Sequence, residues 1–334
     1  LKTAIAILNW NGKELLKEFL PSVIEHSKES DIYVIDNASE DDSVEILKSE
    51  FPRVKVIKNP ENYGFAKGYN DGIQKILERN PGIELFCLLN SDVMVSENWL
   101  EPMMNLFEQN PEIAAAQPKI LDYKNPNKFE YAGAGGGFID NFGYPYCRGR
   151  VFWTLENDYG QYNDTAQVFW VSGACFFVRT DDFINSGGFD ETFFAHMEEI
   201  DLCWRFNHEN RKVFYCGLSK VYHLGGGTLK ANSPQKTYLN FRNNLGMLAK
   251  NLPKRKKIRV IFSRLILDGI TGLVFLIYEG PPHCLAIVRA HFGFYRRLSY
   301  YLRNSKGGNK EYYRRKMIPF QYFIKMRKHY SDLK

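Results

Sequence analysis

The chain has 334 residues, 44% of them hydrophobic, enough for one large or two modest domains around a sizeable core. Six cysteines (Cys87, Cys147, Cys175, Cys203, Cys216 and Cys284) stand singly with no Cys-x-x-Cys pair, which argues against a zinc ribbon or redox motif and for a reducing cytoplasm. The formal charge of +6 is uneven: residues 250–334 hold 20 Lys and Arg against 4 Asp and Glu (+16), and residues 1–249 hold 24 against 34 (−10), so a basic region with an anionic partner is expected.

Residues 3–8 form a continuous apolar run, a buried strand, which Asn9-Trp10-Asn11-Gly12 turns. The run lacks the long apolar core of a signal peptide. Residues 13–25 have helical periodicity through Leu15, Leu16, Phe19, Leu20 and Val23. The alternation continues with strands at 32–36, 54–58 and 85–90 and helices at 42–51, 65–79 and 97–109. Such a pattern predicts a mostly parallel sheet with helices on both faces. In these sheets ligands bind outside the carboxyl ends of the strands. Here those ends carry residues 9–12, 36–39, 59–64 and 90–92, all small or polar.

From about Gln117 the pattern changes. Residues 124–149 are rich in Gly, Asn and Pro, which predicts a flexible connection or lid. The run Gly133-Ala134-Gly135-Gly136-Gly137 is not a phosphate loop, because no Gly-Lys-Ser/Thr follows. Strand character returns at 167–179, a turn is expected at 186–190 and a helix at 198–209, and residues 213–215 and 221–223 bracket a short return segment.

In the last third, residues 260–278 include 13 apolar positions of 19, interrupted by Arg264, Asp268, Gly269 and Gly272. That falls short of the roughly 20 predominantly apolar residues of a spanning helix. Arg264 and Asp268 are four apart and can pair on one face, so the segment is expected to lie in a membrane interface. Beyond it aromatics interleave with bases: Phe292, Phe294, Tyr295, Arg296, Arg297, Tyr300, Tyr301 and Arg303. Anionic lipid head groups recruit such surfaces; a helical subdomain with a solvated basic face is the alternative.

The densest chemistry lies at Glu198-Glu199-Ile200-Asp201, three carboxylates in four residues beside His196. On a helix Glu198 and Asp201 share a face, and Glu199 is turned by about 100°. One carboxylate can then hold the site while another takes a proton; acidic residues favoured by a helix dipole are the plain alternative. Asp36, at a strand end, can accept from the imide N–H of a pyrimidine base or cap a turn. Asp92, after the strand at 85–90, can ligate a hard divalent cation or serve as another cap. His223 precedes Gly225-Gly226-Gly227, glycines that allow mobility or close approach to a ligand. His196 is expected to pack or orient beside the tetrad.

Seven segments in order carry a resemblance: Asn9-Trp10-Asn11-Gly12, VIDNAS at 34–39, NYGFAKGYN at 62–70, LLNSDV at 88–93, VSGACFFVR at 171–179, GGFDE at 187–191 and MEEIDLCWR at 197–205. Together they resemble inverting glycosyltransferases of family 2, in the rhamnosyltransferase-like branch. The resemblance implies a GT-A fold over 1–249, with a nucleotide-binding part (1–116) and an acceptor-binding part (117–249), followed by a basic, aromatic helical region at 250–334. It implies that Asn9, Trp10, Asn11, Asp36, Asn37, Ser39, Asn62, Gly64, Phe65, Gly68, Asn70, Asn90 and Ser91 line the nucleotide-sugar pocket. Gly173, Ala174, Gly188, Phe189 and Asp190 are assigned to the acceptor. Asp92 and His223 would hold Mg²⁺ or Mn²⁺; the family's first metal-motif Asp is Asn90 here. Glu199 stands where the family has an Asp base, with Glu198 and Asp201 in support.

The expected partners are a UDP- or dTDP-linked sugar, a glycan or lipid-linked glycan acceptor and an anionic membrane surface, in a cytoplasmic, peripheral location. Two other readings stay open at this point. A nucleotidyltransferase shares the fold, but residues 9–12 offer it no Lys or Arg. A nucleic-acid-binding protein would use the basic C-terminal region and leave the acidic front half unexplained.

Overall fold

The structure, a computed structural model, describes residues 1–226, 233–308 and 311–333. Its first half alternates as the apolar runs require: β1 (Thr3–Asn9), α1 (Lys13–Glu25), β2 (Asp31–Asp36), α2 (Ser43–Glu50), β3 (Lys55–Lys58), α3 (Gly64–Arg79), β4 (Leu85–Asn90), β5 (Val93–Val95), α4 (Leu100–Gln109) and β6 (Ile113–Asp122). β1 pairs in parallel with β2 and β4, and β2 with β3. Strands buried on both faces read as unbroken apolar runs, as TAIAILN in β1 does.

Leu16, Leu20, Leu47, Met103 and Phe107 of α1, α2 and α4 cover one face of the sheet. Ala66, Tyr69, Ile73 and Ile76 of α3 cover the other.

The region expected to be a flexible lid is packed structure. A small antiparallel sheet comprises β7 (Gly137–Ile139), β8 (Pro145–Cys147), β9 (Arg150–Val151) and β10 (Thr154–Leu155). The glycines that read as flexible are there for closeness: a Cβ on Gly137 would stand 2.0 Å from the Trp170 ring, and one on Gly133 2.4 Å from Ser172. The lack of a side chain lets another side chain take its place.

The remaining strands are β11 (Thr165–Gln167), β12 (Cys175–Arg179) and β13 (Lys212–His223), with α5 (Thr180–Asn185) and α6 (Glu198–His208) between the last two. β12 inserts antiparallel between β4 and β6, giving the order β11-β13-β6-β12-β4-β1-β2-β3, with β5 paired to β13. The expected return segment is one long strand: β13 is irregular between Cys216 and Lys220, opposite Pro118 and Lys119 of β6. A proline in the partner strand, which cannot donate to the ladder, accounts for that irregularity.

The C-terminal helices are α7 (Pro234–Asn251), α8 (Lys254–Tyr278), α9 (Pro281–Arg303) and α10 (Ile318–Phe323). The expected division at 249/250 falls in the last turn of α7. The chain then returns to the small sheet, where Tyr322 Oη lies 2.8 Å from Thr154 Oγ1 and Tyr330 stacks on Phe138.

Candidate active site

The carboxyl ends of β1, β2 and β4 converge as expected. Asn9 is buried at the end of β1 and donates to Asp36 Oδ1 (3.2 Å) and Ser39 Oγ (3.1 Å). Ser39 N returns to Asp36 Oδ2 at 3.1 Å, and Asn11 N donates to Ser39 Oγ at 2.9 Å. Asn9 Oδ1 is buried with no partner among the described residues. Gly12 leaves it room, since a Cβ there would fall 2.4 Å away, with Ser91 Oγ next nearest among side chains other than Asn9. Trp10 stands exposed at the rim.

Other residues expected to line the pocket turn out to build it. Asn59 donates to Asn37 Oδ1 (2.9 Å), and Asn37 donates to Gly64 O (2.9 Å) and Asn62 Oδ1 (3.3 Å). Gly68 is packed so close that a Cβ would stand 2.8 Å from Asn37 Nδ2. Asn70 is a correction: it exchanges two hydrogen bonds with the backbone of Phe189, at 2.9 and 3.0 Å, and so clamps the 187–191 turn. Phe65 packs on Tyr69 and Phe189.

The acceptor assignments of Gly188, Phe189 and Asp190 are corrected for the same reason. Gly188 is a positive-φ turn residue whose carbonyl accepts from Arg205, Phe189 is core, and Asp190 Oδ2 pairs with Lys250 Nζ at 2.5 Å. Gly173 makes room for Phe65, and Ala174 O accepts from Asn90 N, which docks β12 beside β4.

At the end of β4, His223 Nε2 lies 3.1 Å from Asp92 Oδ1 and 3.3 Å from Asn90 Nδ2. The pairing of β13 with β5 and β6 delivers it there across 131 residues of sequence. A third buried group, missed in the sequence, completes the row: Glu130 Oε2 is 3.3 Å from His223 Nδ1. Burial works against the imidazolium, but Asp92 and Glu130 on its two sides outweigh it and push its pKa up to about 10. Of the glycines that follow, Gly225 and Gly226 have positive φ, and Gly227 lies outside the described residues.

The tetrad opens α6 after a strained approach. Phe194, His196 and Met197 all have positive φ, which costs non-glycine residues about 1–3 kcal/mol each. Asn243, fully buried on α7, holds this loop: its Nδ2 lies 2.9 Å from Phe193 O, 2.9 Å from Ala195 O and 2.8 Å from His196 O. Phe194 O in turn accepts from Phe65 N and Ala66 N in the first turn of α3, which ties the loop to the nucleotide side.

The three carboxylates then diverge. Asp201 is buried and fully engaged by Arg205 Nε (2.9 Å), Lys250 Nζ (2.8 Å) and Asn251 Nδ2 (2.7 Å). Burial opposes its ionisation, yet Lys250 and Arg205 hold it below the usual carboxylate range. It is not free to take a proton, so of the roles expected for it the bracing one fits, and no oxygen is left for direct catalysis. Glu198 is buried with no partner at Oε2, and burial together with the Glu199 charge drives its pKa far up. Glu199 is half-buried; burial raises its pKa to about 7 although the backbone N–H groups of residues 197, 199 and 200 favour its ionised form. His196 is held neutral, with its pKa pushed down to about 4 by burial and by Lys236.

Amides and Asp36 at the carboxyl ends of a parallel sheet, a carboxylate–imidazole pair at the end of β4 and a carboxyl of raised pKa at the start of α6 are groups that a sugar-transfer site of the GT-A type can use. The chain belongs to glycosyl transferase family 2, whose family model matches residues 4–185. Over 222 residues it is 24% identical to the N-acetylglucosaminyl-diphospho-decaprenol L-rhamnosyltransferase of Mycobacterium tuberculosis, covering 62% of this chain and 71% of that one. It is 22% identical over 241 residues to the low-salt glycan biosynthesis hexosyltransferase Agl10 of Haloferax volcanii, covering 72% and 73%. Among solved structures, GalNAc-T7 with UDP, GalNAc and Mn²⁺ superposes with a TM-score of 0.60 at 17% identity, covering 77% of this chain and 49% of that one. The mannosyltransferase PcManGT of Pyrobaculum calidifontis, with GDP-Man and Mn²⁺, gives 0.54 at 10% identity, covering 88% and 87%. These likenesses establish the GT-A-like fold.

Proposed function

We propose that this glycosyltransferase moves a sugar from a UDP- or dTDP-linked donor to a hydroxyl of a lipid-linked glycan, with inversion, in cell-surface polysaccharide synthesis. The observation that carries the reading is Glu199, at the start of α6 just after the strained loop, whose carboxyl pKa burial raises to about 7, together with the Asp92–His223 pair at the end of β4. The M. tuberculosis relative, named for a diphospho-decaprenol acceptor, supports the lipid-linked class.

Asp92 and His223 fit Mg²⁺ or Mn²⁺ in donor type, one carboxylate oxygen and one imidazole nitrogen. Two protein donors suffice for a cation whose other ligands are substrate phosphates. Such an ion, when bound, would neutralise charge on the diphosphate leaving group. Glu130 lies behind the ring, 3.3 Å from His223 Nδ1, and the proton that Asp92 holds at Nε2 would be displaced when a cation binds there. Glu199 takes the proton from the acceptor hydroxyl as its oxygen attacks the anomeric carbon. Glu198 stays protonated, so one negative charge, not two, meets the incoming oxygen. Asp36, held by Asn9 and Ser39, presents its carboxylate to the donor's base.

Binding of dTDP and UDP, measured with Mn²⁺ by calorimetry, tests the reading without an acceptor. At least one should bind in the micromolar range and weaken on Asp92→Asn; failure of both to bind would overturn it. Turnover of a prenyl-diphosphate sugar acceptor across dTDP- and UDP-sugars then fixes the donor.

The membrane reading rests on α8, among the described residues the one helix long and apolar enough to cross a bilayer. Its pattern is inverted: Val260, Arg264, Asp268 and Gly272 face inward, and Ile258, Phe262, Ile266, Ile270, Leu273 and Ile277 face out. Arg264 bonds Phe142 O and stacks 3.8 Å over Tyr144, so the first half of α8 is pinned to the catalytic body, and Gly272 in its second half faces α9. A pinned helix with an apolar outer face lies along the interface rather than crossing it. Lys254–Lys257 at its start and Arg296, Arg297 and Arg303 near the end of α9 gather at the same end of the hairpin, where anionic head groups would meet them. On this reading the protein sits peripherally on the cytoplasmic face.

A further inference from the structure

Arg150 is a deeply buried cation that the reaction above leaves without a task. It is 5% exposed on β9. Its Nη2 reaches Cys147 Sγ at 3.3 Å, its guanidinium lies 4.7 Å from the centre of the Tyr131 ring, and its Nε has no hydrogen-bond partner among the described residues. Other deeply buried guanidinium groups are engaged: Arg205 by Asp201, Arg264 by Asp268, and Arg242 by the carbonyls of Thr192 and Phe193. No Asp or Glu among the described residues forms an ion pair with Arg150. The charge of Glu130 acts on it from beyond ion-pair distance; a buried cation without a direct anionic partner is costly, so a position of this kind is open to an anionic ligand.

Its surroundings place it in the cleft. Tyr131 follows Glu130, whose carboxylate meets His223 at 3.3 Å. Cys147, in contact with Arg150, feels the charges of both Glu130 and Glu199. Lys236, half-buried in the first turn of α7, also feels Glu130 and acts on His196. The next residue, Thr237, bonds His283 Nδ1 at 2.9 Å, beside the tip of the α8–α9 hairpin. A chain of neighbouring charged and polar groups therefore runs from Lys236 through Glu130 and Cys147 to Arg150 and Glu199, with the apolar hairpin tip beside Thr237.

We propose that Arg150, with Lys236, binds the phosphate oxygens of a diphosphate-linked lipid acceptor and positions its sugar hydroxyl against Glu199. The inference rests on the lipid-linked reading above and deepens it. A guanidinium offers a planar fork that matches phosphate oxygens, and Lys adds a mobile point charge. Tyr131, 48% exposed, is the cover that the ligand displaces. The lipid tail leaves along the hairpin's apolar face. The donor diphosphate, in contrast, belongs to Asp92 and His223, so the two diphosphates occupy separate cationic sites.

The test uses farnesyl diphosphate as the acceptor probe, titrated into the full chain already saturated with dTDP or UDP and Mn²⁺. Arg150→Gln should weaken farnesyl diphosphate at least about 10-fold, leave nucleoside diphosphate affinity within about twofold, and recover in part as Arg150→Lys. Lys236→Ala, at a partly exposed helix position, should shift the same affinity in the same direction and decides the matter if Arg150→Gln does not fold. Equal loss of both ligands in a folded variant would assign Arg150 to the donor and overturn the proposal. Unchanged farnesyl diphosphate binding in both variants would overturn it too. Wild-type protein that binds a nucleoside diphosphate but no farnesyl diphosphate defeats this inference alone; protein that binds neither nucleoside diphosphate defeats the functional reading beneath it.

Discussion

Glu199 and Asp201 stand two residues apart in the first turn of one helix, yet their environments are opposite. Asp201 is enclosed by Lys250, Arg205 and Asn251 and is held ionised. Glu199 has no cation against it, and burial alone raises it to about 7. The difference shows that a buried carboxylate becomes a base or a brace according to what other elements bring to it. Here α7 supplies Lys250 and Asn251 to one residue and leaves the other unpaired.

The sharpest break of the comparison is Glu199→Gln. It should lower kcat by about 10²–10⁴-fold, as loss of a general base does, while nucleoside diphosphate binding measured by calorimetry stays unchanged. Asp201→Ala should do the reverse, costing about 3–5 kcal/mol of stability in denaturant unfolding because Arg205 and Lys250 are left buried without their anion. Asn243→Ala is expected to cost about 1–3 kcal/mol and to lower kcat as well, since the loop that aims Glu199 relaxes; an unchanged kcat would show that the strained loop is not needed.

The pH dependence separates the same two residues more finely. A base must be ionised, so kcat should rise with pH through about 7 in wild type, and that limb should be absent in Glu199→Gln. For stability the signs are opposite. Glu199 has a folded pKa above its unfolded value, so the folded state binds the extra proton between about pH 4.5 and 7 and stability falls as pH rises through that window. Asp201 has a depressed folded pKa, so its contribution is present above about pH 4 and is lost as pH falls through the folded value. Melting temperatures of the two variants against wild type from about pH 2 to 8 read both slopes. Smallest in its effect on folding is Ile270→Glu with Leu273→Glu on the outer face of α8. Unfolding should move by about 0.5 kcal/mol or less, and sedimentation with phosphatidylglycerol vesicles should be lost.

Much of the site was legible in the sequence because it sits at strand ends. Unbroken apolar runs mark β1, β2 and β4, and the polar residues that end them, Asn9, Asp36 and Asp92, meet at one edge of the sheet. The helix opening at Glu198 was legible too, and its 3.6-residue geometry separates Glu199 from Asp201. The glycine-rich stretch misled, because Gly137 is set by the Trp170 ring, 33 residues further along the chain, rather than by a need to flex. β6 escaped notice because IAAAQPKILD has small side chains and a proline where strands usually show bulky ones.

The sequence by itself determined the layered α/β architecture, the order of the strands that carry polar ends and the family, because these depend on local periodicity and on motifs a few residues long. Only the tertiary structure decided which carboxylate is paired with cations and which is left to burial alone. Lys250 meets Asp201 across 49 residues of sequence and Asn243 meets His196 across 47, Glu130 reaches His223 from another element, and no local pattern records that approach. Charge and burial act through space, so the roles of Glu199, Asp201 and Arg150 follow from what folding packs against each of them.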